Sequence, residues 1–139
     1  MSTHAFQQLG LRFCRWIAHT ATAYHLWCAE QELRLADTSD MPDSLREARA
    51  RNLDLLQGYR QRGEFPQQQE NPYAALPCFI DSAGRLCAVA CLMHASGDQA
   101  TALEVAQTTN FARIRAMKFA KLDAWASKSG FTKQELARI

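Results

Sequence analysis

Phe6-Gln7-Gln8-Leu9-Gly10-Leu11-Arg12-Phe13-Cys14-Arg15-Trp16-Ile17-Ala18-His19-Thr20-Ala21-Thr22-Ala23-Tyr24-His25-Leu26-Trp27-Cys28 is the stretch that decides the fold class. Phe6, Leu9, Phe13, Trp16/Ile17, Thr20, Tyr24 and Trp27 recur at alternating three- and four-residue steps, which is helical periodicity. A second stripe, Leu11, Cys14, Ala18, Ala21, His25 and Cys28, runs along a neighbouring face. A helix with two apolar stripes is packed on more than one side. The spacing therefore predicts a long central helix over 4–36, either continuous or with one break, with room for a dimer partner. Charged flanks in a sustained heptad pattern are lacking, so a coiled coil is not indicated.

Working outward, Asp37-Thr38-Ser39-Asp40-Met41-Pro42 is a turn cluster, with Asp40 or Ser39 to cap a second helix and Pro42 in its first turn. Leu45, Ala48, Leu53, Leu56 and Tyr59 form its apolar side, and Gly63 ends it. Residues 63–77 read as a long irregular stretch with Pro66, Pro72 and Pro77. The segment near 78–86 reads as a short strand pair or an irregular piece, because Ser82-Ala83-Gly84 signals a turn. Helices are expected over 87–96 and 99–108. A further apolar stripe, Phe111, Ile114, Met117, Leu122 and Trp125, predicts one helix ending at Gly130. Thr132-Lys133-Gln134-Glu135 fits a capping box on a last short helix. The expected fold is mainly α, a small bundle of five to six helices, with residues 1–139 as one domain.

Composition narrows the functional classes. A net charge of +2 is too small to argue for a nucleic-acid binder. Residues 1–77 carry 8 basic and 9 acidic groups and residues 78–139 carry 8 and 5, so the excess sits in the second part. Five cysteines cannot form a complete intrachain disulfide set. With no basic-then-apolar leader and no run of about 18 apolar residues, the chain reads as soluble and cytoplasmic, with reduced thiols and no membrane role.

The chemistry-bearing residues concentrate in Cys78–His94. On a helix, Cys87, Cys91 and His94 share one face, and His25 and Cys28 are similarly spaced on the first helix. Two facing helices with these five side chains could hold zinc. The competing reading is that cysteine is a small hydrophobe and these are core positions. Cys87 at a helix start is also a candidate nucleophile, since a helix N-terminus favours thiolate. Its base would be His25, His19 or His4, with Asp81 to orient it. Arg113, Arg115, Lys118, Lys121 and Lys128 suggest a basic helix over 113–128, which serves equally as a solvated face. Phe6, Phe13, Trp16, Tyr24 and Trp27 are residue types that anchor interfaces as well as cores.

Two further elements are Tyr59-x3-Gly63-x-Phe65-Pro66 and Phe79-x-Asp81-x2-Gly84-x2-Cys87-Ala88-Val89. On these the chain resembles a group of small bacterial proteins with no assigned activity. Those relatives often have Asn after Phe-Pro, where this chain has Gln67-Gln68, and many look exported. The resemblance covers about a third of the chain and implies no reaction. It implies that the Gly-x-Phe-Pro loop and the Cys87 turn form one structural feature. Taken together, these readings favour a binding or interaction module, through an unknown protein partner or self-association, over an enzyme. The alternatives are a thiol- or metal-dependent protein and a nucleic-acid-associated one.

Overall fold

A computed structural model of the protein describes residues 3–67 and 77–139, with side chains from Ala5 onward. Most of the irregular stretch expected at 63–77 lies outside these residues. Among them are six α-helices: α1 (Thr3–Leu35), α2 (Asp43–Arg62), α3 (Ala88–Ala95), α4 (Gln99–Thr109), α5 (Ala120–Ser129) and α6 (Lys133–Leu136), with a 3-10 turn at Ile114–Ala116. The mainly helical class holds. Among the described residues no strand forms near 78–86; a single antiparallel bridge joins Ile80 to Leu86.

The core lies between α2, α3, α4 and α5. Leu56, Ala90, Leu92, Met93, Ala102 and Val105 are fully buried there. Each such Leu, Val or Met side chain contributes about 1.5–3 kcal/mol by leaving water. α2 begins one residue later than its turn signal suggests, because Pro42 is its cap rather than part of its first turn. Gly63 and Gly130 end α2 and α5 in the left-handed conformation. A Cβ on Gly130 would stand 2.5 Å from the Leu45 carbonyl oxygen, so only glycine fits.

Buried polar groups tie the ends of the helices together. Arg49 is buried, with its guanidinium donating to Leu33 O at 2.8 Å, Gly130 O at 3.0 Å and both Glu135 oxygens at 3.0 Å. Its guanidinium carbon also lies 5.0 Å from the centre of the Phe131 ring. Glu135 serves the capping box of α6 as well, accepting from Thr132 N–H while Thr132 caps in return. Burial works against its charge, but Arg49 and Thr132 hold its carboxyl below the usual range. Glu30 of α1 is buried between Arg34 and Arg60, with contacts of 3.0 and 3.2 Å.

Two sequence expectations change. The helix expected to run from Phe111 to Gly130 is broken. Asn110 is held by the 78–81 turn: its carbonyl accepts from Phe79 N–H at 2.9 Å, and its side-chain amide exchanges hydrogen bonds with Ile80 N–H and C=O at 2.8 and 2.9 Å. Those bonds stop α4, and the chain crosses through the 3-10 turn and an extended Met117 before α5 begins. The second change concerns α1, whose long helix is present but is not central. Leu26, Ala29, Glu30 and Leu33 are buried, whereas Phe6, Leu9, Phe13, Trp16, Ile17, Tyr24 and Trp27 are exposed.

Candidate functional site

Among the described residues, the fully buried side chains of α1 lie along its second half. Leu26, Ala29 and Leu33 lie on the side that packs against α2. Midway along the helix, His19 donates from Nε2–H to Gly63 O at 3.0 Å, and its ring lies 5.0 Å from Phe65. The stripe from Phe6 to Trp27 points to the opposite side, since helical geometry separates the two faces by close to half a turn. Phe13 and Trp16 stack with ring centres 6.1 Å apart, and Tyr24 and Trp27 do so at 6.0 Å. Arg12 and Arg15 are the only charged residues between Ala5 and Ala29, and neither lies on the stripe. Seven side chains about half to two-thirds exposed present roughly 1,000 Å² of largely apolar surface. A typical monomer's largest apolar patch is about 300–600 Å².

The cysteine segment is organised as a folded turn. Asp81 has a buried carboxylate that accepts four hydrogen bonds: from Gln67 N–H at 2.9 Å, Ala83 N–H at 3.0 Å, Arg85 N–H at 2.8 Å and Arg85 Nε–H at 2.7 Å. Burial opposes its charge, but these donors win and hold the carboxyl below the usual range. The bond from Gln67 joins the Gly-x-Phe-Pro loop to this turn, and Tyr59 adds a bond from its hydroxyl to Leu86 O at 2.7 Å. Cys87 is the N-cap of α3, its sulfur accepting from Ala90 N–H at 3.4 Å. The helix start does favour thiolate there, through the N–H groups of Ala90 and Val89, but burial is the larger effect and pushes the thiol up to about 12. A thiol of that kind is a cap and a packing group at neutral pH.

The other expected ligands are dispersed. Cys91 accepts from Arg62 Nη2 at 3.6 Å, yet burial still raises its thiol. His94 is exposed at the last turn of α3. His25 donates from Nε2 to Arg138 O at 2.8 Å, which turns it toward the C-terminal residues. Cys28 lies beside Tyr24 on α1. Among the described residues, no group of three or more His, Cys, Asp or Glu side chains is placed to hold a metal ion. Cys78 and Cys91 each approach Cys87, but Cys78 donates to Ile80 O at 3.3 Å within the turn.

The basic residues do not share one helix. Arg113 and Arg115 flank and occupy the 3-10 turn, Lys118 is in the connector, and Lys121 and Lys128 are on α5. Lys121 is paired with Glu104 at 2.7 Å. Lys121 and Lys128 line an open groove of about 500 Å³ with Arg51, Asn52, Asp98 and Trp125. Trp125 is fixed there by its Nε1–H bond to Ser96 Oγ at 2.8 Å.

Sequence reasoning placed the α1 aromatics correctly on one stripe but could not orient that stripe, because the neighbouring face is apolar too. The one signal was the absence of charge on every face from Ala5 to Leu11 and from Trp16 to Ala29. None of the described helices is long and apolar enough to cross a membrane. Comparison with protein-family models, with curated proteins and with solved structures finds no match to this chain.

Proposed function

We propose that the protein is a binding module whose contact element is the outward stripe of α1. The observation that carries this reading is the exposure of Phe6, Phe13, Trp16 and Tyr24, each more than 60% accessible, on a helix anchored at its other end. Aromatic side chains are costly to leave in water and dominate the energetics of protein interfaces. The anchoring is firm. Leu26, Ala29 and Leu33 pack against α2, Glu30 bridges two arginines, and Arg49 grips Leu33 O. α1 thus combines a fixed base with a free apolar face, which is how a docking helix is built.

The cysteine segment does not compete as a reactive centre. Its carboxylate is consumed by four hydrogen bonds, and its central thiol is neutral. It serves the module by fixing the loop after α2 against the start of α3.

A benzophenone side chain placed at residue 16 tests this reading by light-induced cross-linking in the cells that make the protein. One or a few adducts of defined mass are expected, with none from the same group at residue 51 on the exposed side of α2. Absence of adducts from residue 16, or equal adducts from both positions, refutes it.

A further inference from the structure

The stripe on α1 fits a second copy of the same chain, and we infer that the protein pairs with itself through antiparallel α1 helices. This rests on the reading of α1 as the contact element and names its occupant. Three observations point to self-pairing.

The first is area. A stable interface removes about 800 Å² from each partner. The stripe offers roughly 1,000 Å² of it from α1 alone.

The second is register. Phe6, Leu9, Phe13, Trp16 and Thr20 step by three and four residues, an average of 3.5, the repeat that keeps one seam facing a partner helix. Set two such helices antiparallel, with the two-fold axis passing between Trp16 and Ile17. Phe6 then lies opposite Trp27, Leu9 opposite Tyr24 and Trp16 opposite Ile17, so six of the seven large side chains of each copy meet large side chains of the other, while Phe13 packs over the smaller Thr20. The interface is isologous and closes on itself as a dimer.

The third is charge and shape. No charged residue lies on the stripe, so it presents nothing for an oppositely charged partner to read, and nothing that two identical faces would repel. Arg12 stands at its flank. A parallel pair would set Arg12 beside its counterpart and align the two helix dipoles, whereas the antiparallel pair separates the arginines and opposes the dipoles. The described residues of the domain pack on the other side of α1, so a second helix reaches the stripe without meeting them. A membrane surface fits less well. Helices that lie on anionic lipid carry a strongly basic polar face, and Arg12 and Arg15 are the only cations over the exposed length.

Sedimentation equilibrium of the purified full chain tests the pairing. The expected result is twice the 15.7 kDa chain mass at micromolar concentration. Trp16→Glu should weaken dimerisation at least a hundredfold while retaining the helical signal of the domain and the melting behaviour of dilute wild-type protein. Arg51→Glu should leave the dimer intact. A benzophenone at residue 6 should cross-link to the segment around Trp27 of the second copy; a cross-link confined to residues near Phe6 overturns the antiparallel arrangement. A chain that stays monomeric at 100 micromolar, or a dimer indifferent to Trp16→Glu, overturns the pairing. If that monomer also binds phosphatidylglycerol vesicles, the occupant is a lipid surface. If residue 16 cross-links in cells to a protein of another mass while the pure chain is monomeric, the binding reading stands and self-pairing falls.

Discussion

Residues 78–94 and residues 5–28 are both rich in side chains that do chemistry or binding, and the fold treats them in opposite ways. In 78–94 the carboxylate of Asp81 is saturated with donors, Leu92 and Met93 lose all contact with water, and Cys87 caps a helix. In 5–28 most of the large apolar residues remain outside, with Leu11 half-buried and only Leu26 among them fully covered. Residue type alone therefore does not mark a site. A reactive group has to be left with unspent valence, and in this molecule the unspent valence is apolar area.

The largest expected effect tests the buried member of the comparison. Leu92→Ala removes a side chain with no exposed surface and leaves a cavity, so urea unfolding should show a loss of about 2–5 kcal/mol. A loss below about 1 kcal/mol would mean that α3 is not the packed element described above.

Next comes Asp81. Its carboxyl is held below the ordinary range by the Gln67 and Arg85 donors despite burial. A depressed folded-state pKa gives stability that is full above the unfolded value, about 3.9, and is lost as pH falls through the folded value. Asp81→Ala should cost about 2–3 kcal/mol at pH 7, since it deletes hydrogen bonds to a charged group. Asp81→Asn should flatten the acid limb of the stability profile. If the mutant and wild-type profiles run parallel below pH 4, the carboxylate is not what closes this turn.

Cys87 gives a subtler contrast, read as a rate. With its thiol raised from the ordinary 9.0 to about 12, the thiolate population at neutral pH is roughly a thousandth of that of an ordinary cysteine. Labelling with iodoacetamide, followed by peptide mass analysis, should find Cys87 about a thousandfold slower in the folded protein than in urea. The neutral thiol is favoured at every pH below its folded value, so the rate should keep rising toward pH 12. Fast labelling at pH 7 would restore Cys87 as a nucleophile.

How much of this could be read in the sequence differs between elements for physical reasons. Helical periodicity is local, so α1, α2, α3 and α4 emerge with boundaries close to those observed, and Thr132 with Glu135 marks α6. The break between Thr109 and Ala120 was hidden because Phe111, Ile114, Met117 and Leu122 keep a helical rhythm across it. Its cause is the set of bonds between Asn110 and the 79–80 backbone, thirty residues away in sequence. The facing of α1 was hidden for a similar reason. Two apolar stripes lie side by side, and the residues the domain buries, Leu26, Ala29 and Leu33, belong to neither. For Cys87, the helix start that favours thiolate is visible in the sequence, whereas the burial that outweighs it belongs to the assembled core.

The smallest expected effect, Phe13→Ala, is the most discriminating. Phe13 is 61% exposed, so folding of one chain removes little of it from water, and alanine is the better helix former. In dilute protein, where pairs have dissociated, unfolding free energy should change by less than about 0.5 kcal/mol. Pairing adds stability by mass action, so wild-type stability should grow with protein concentration. In Phe13→Ala that growth should be reduced, because the substitution removes a stripe residue from both copies at once. Equal concentration dependence in the two proteins would show that Phe13 is exposed without being used. A large loss in dilute protein would show that the first half of α1 folds back onto its own domain, and the contrast with residues 78–94 would then disappear.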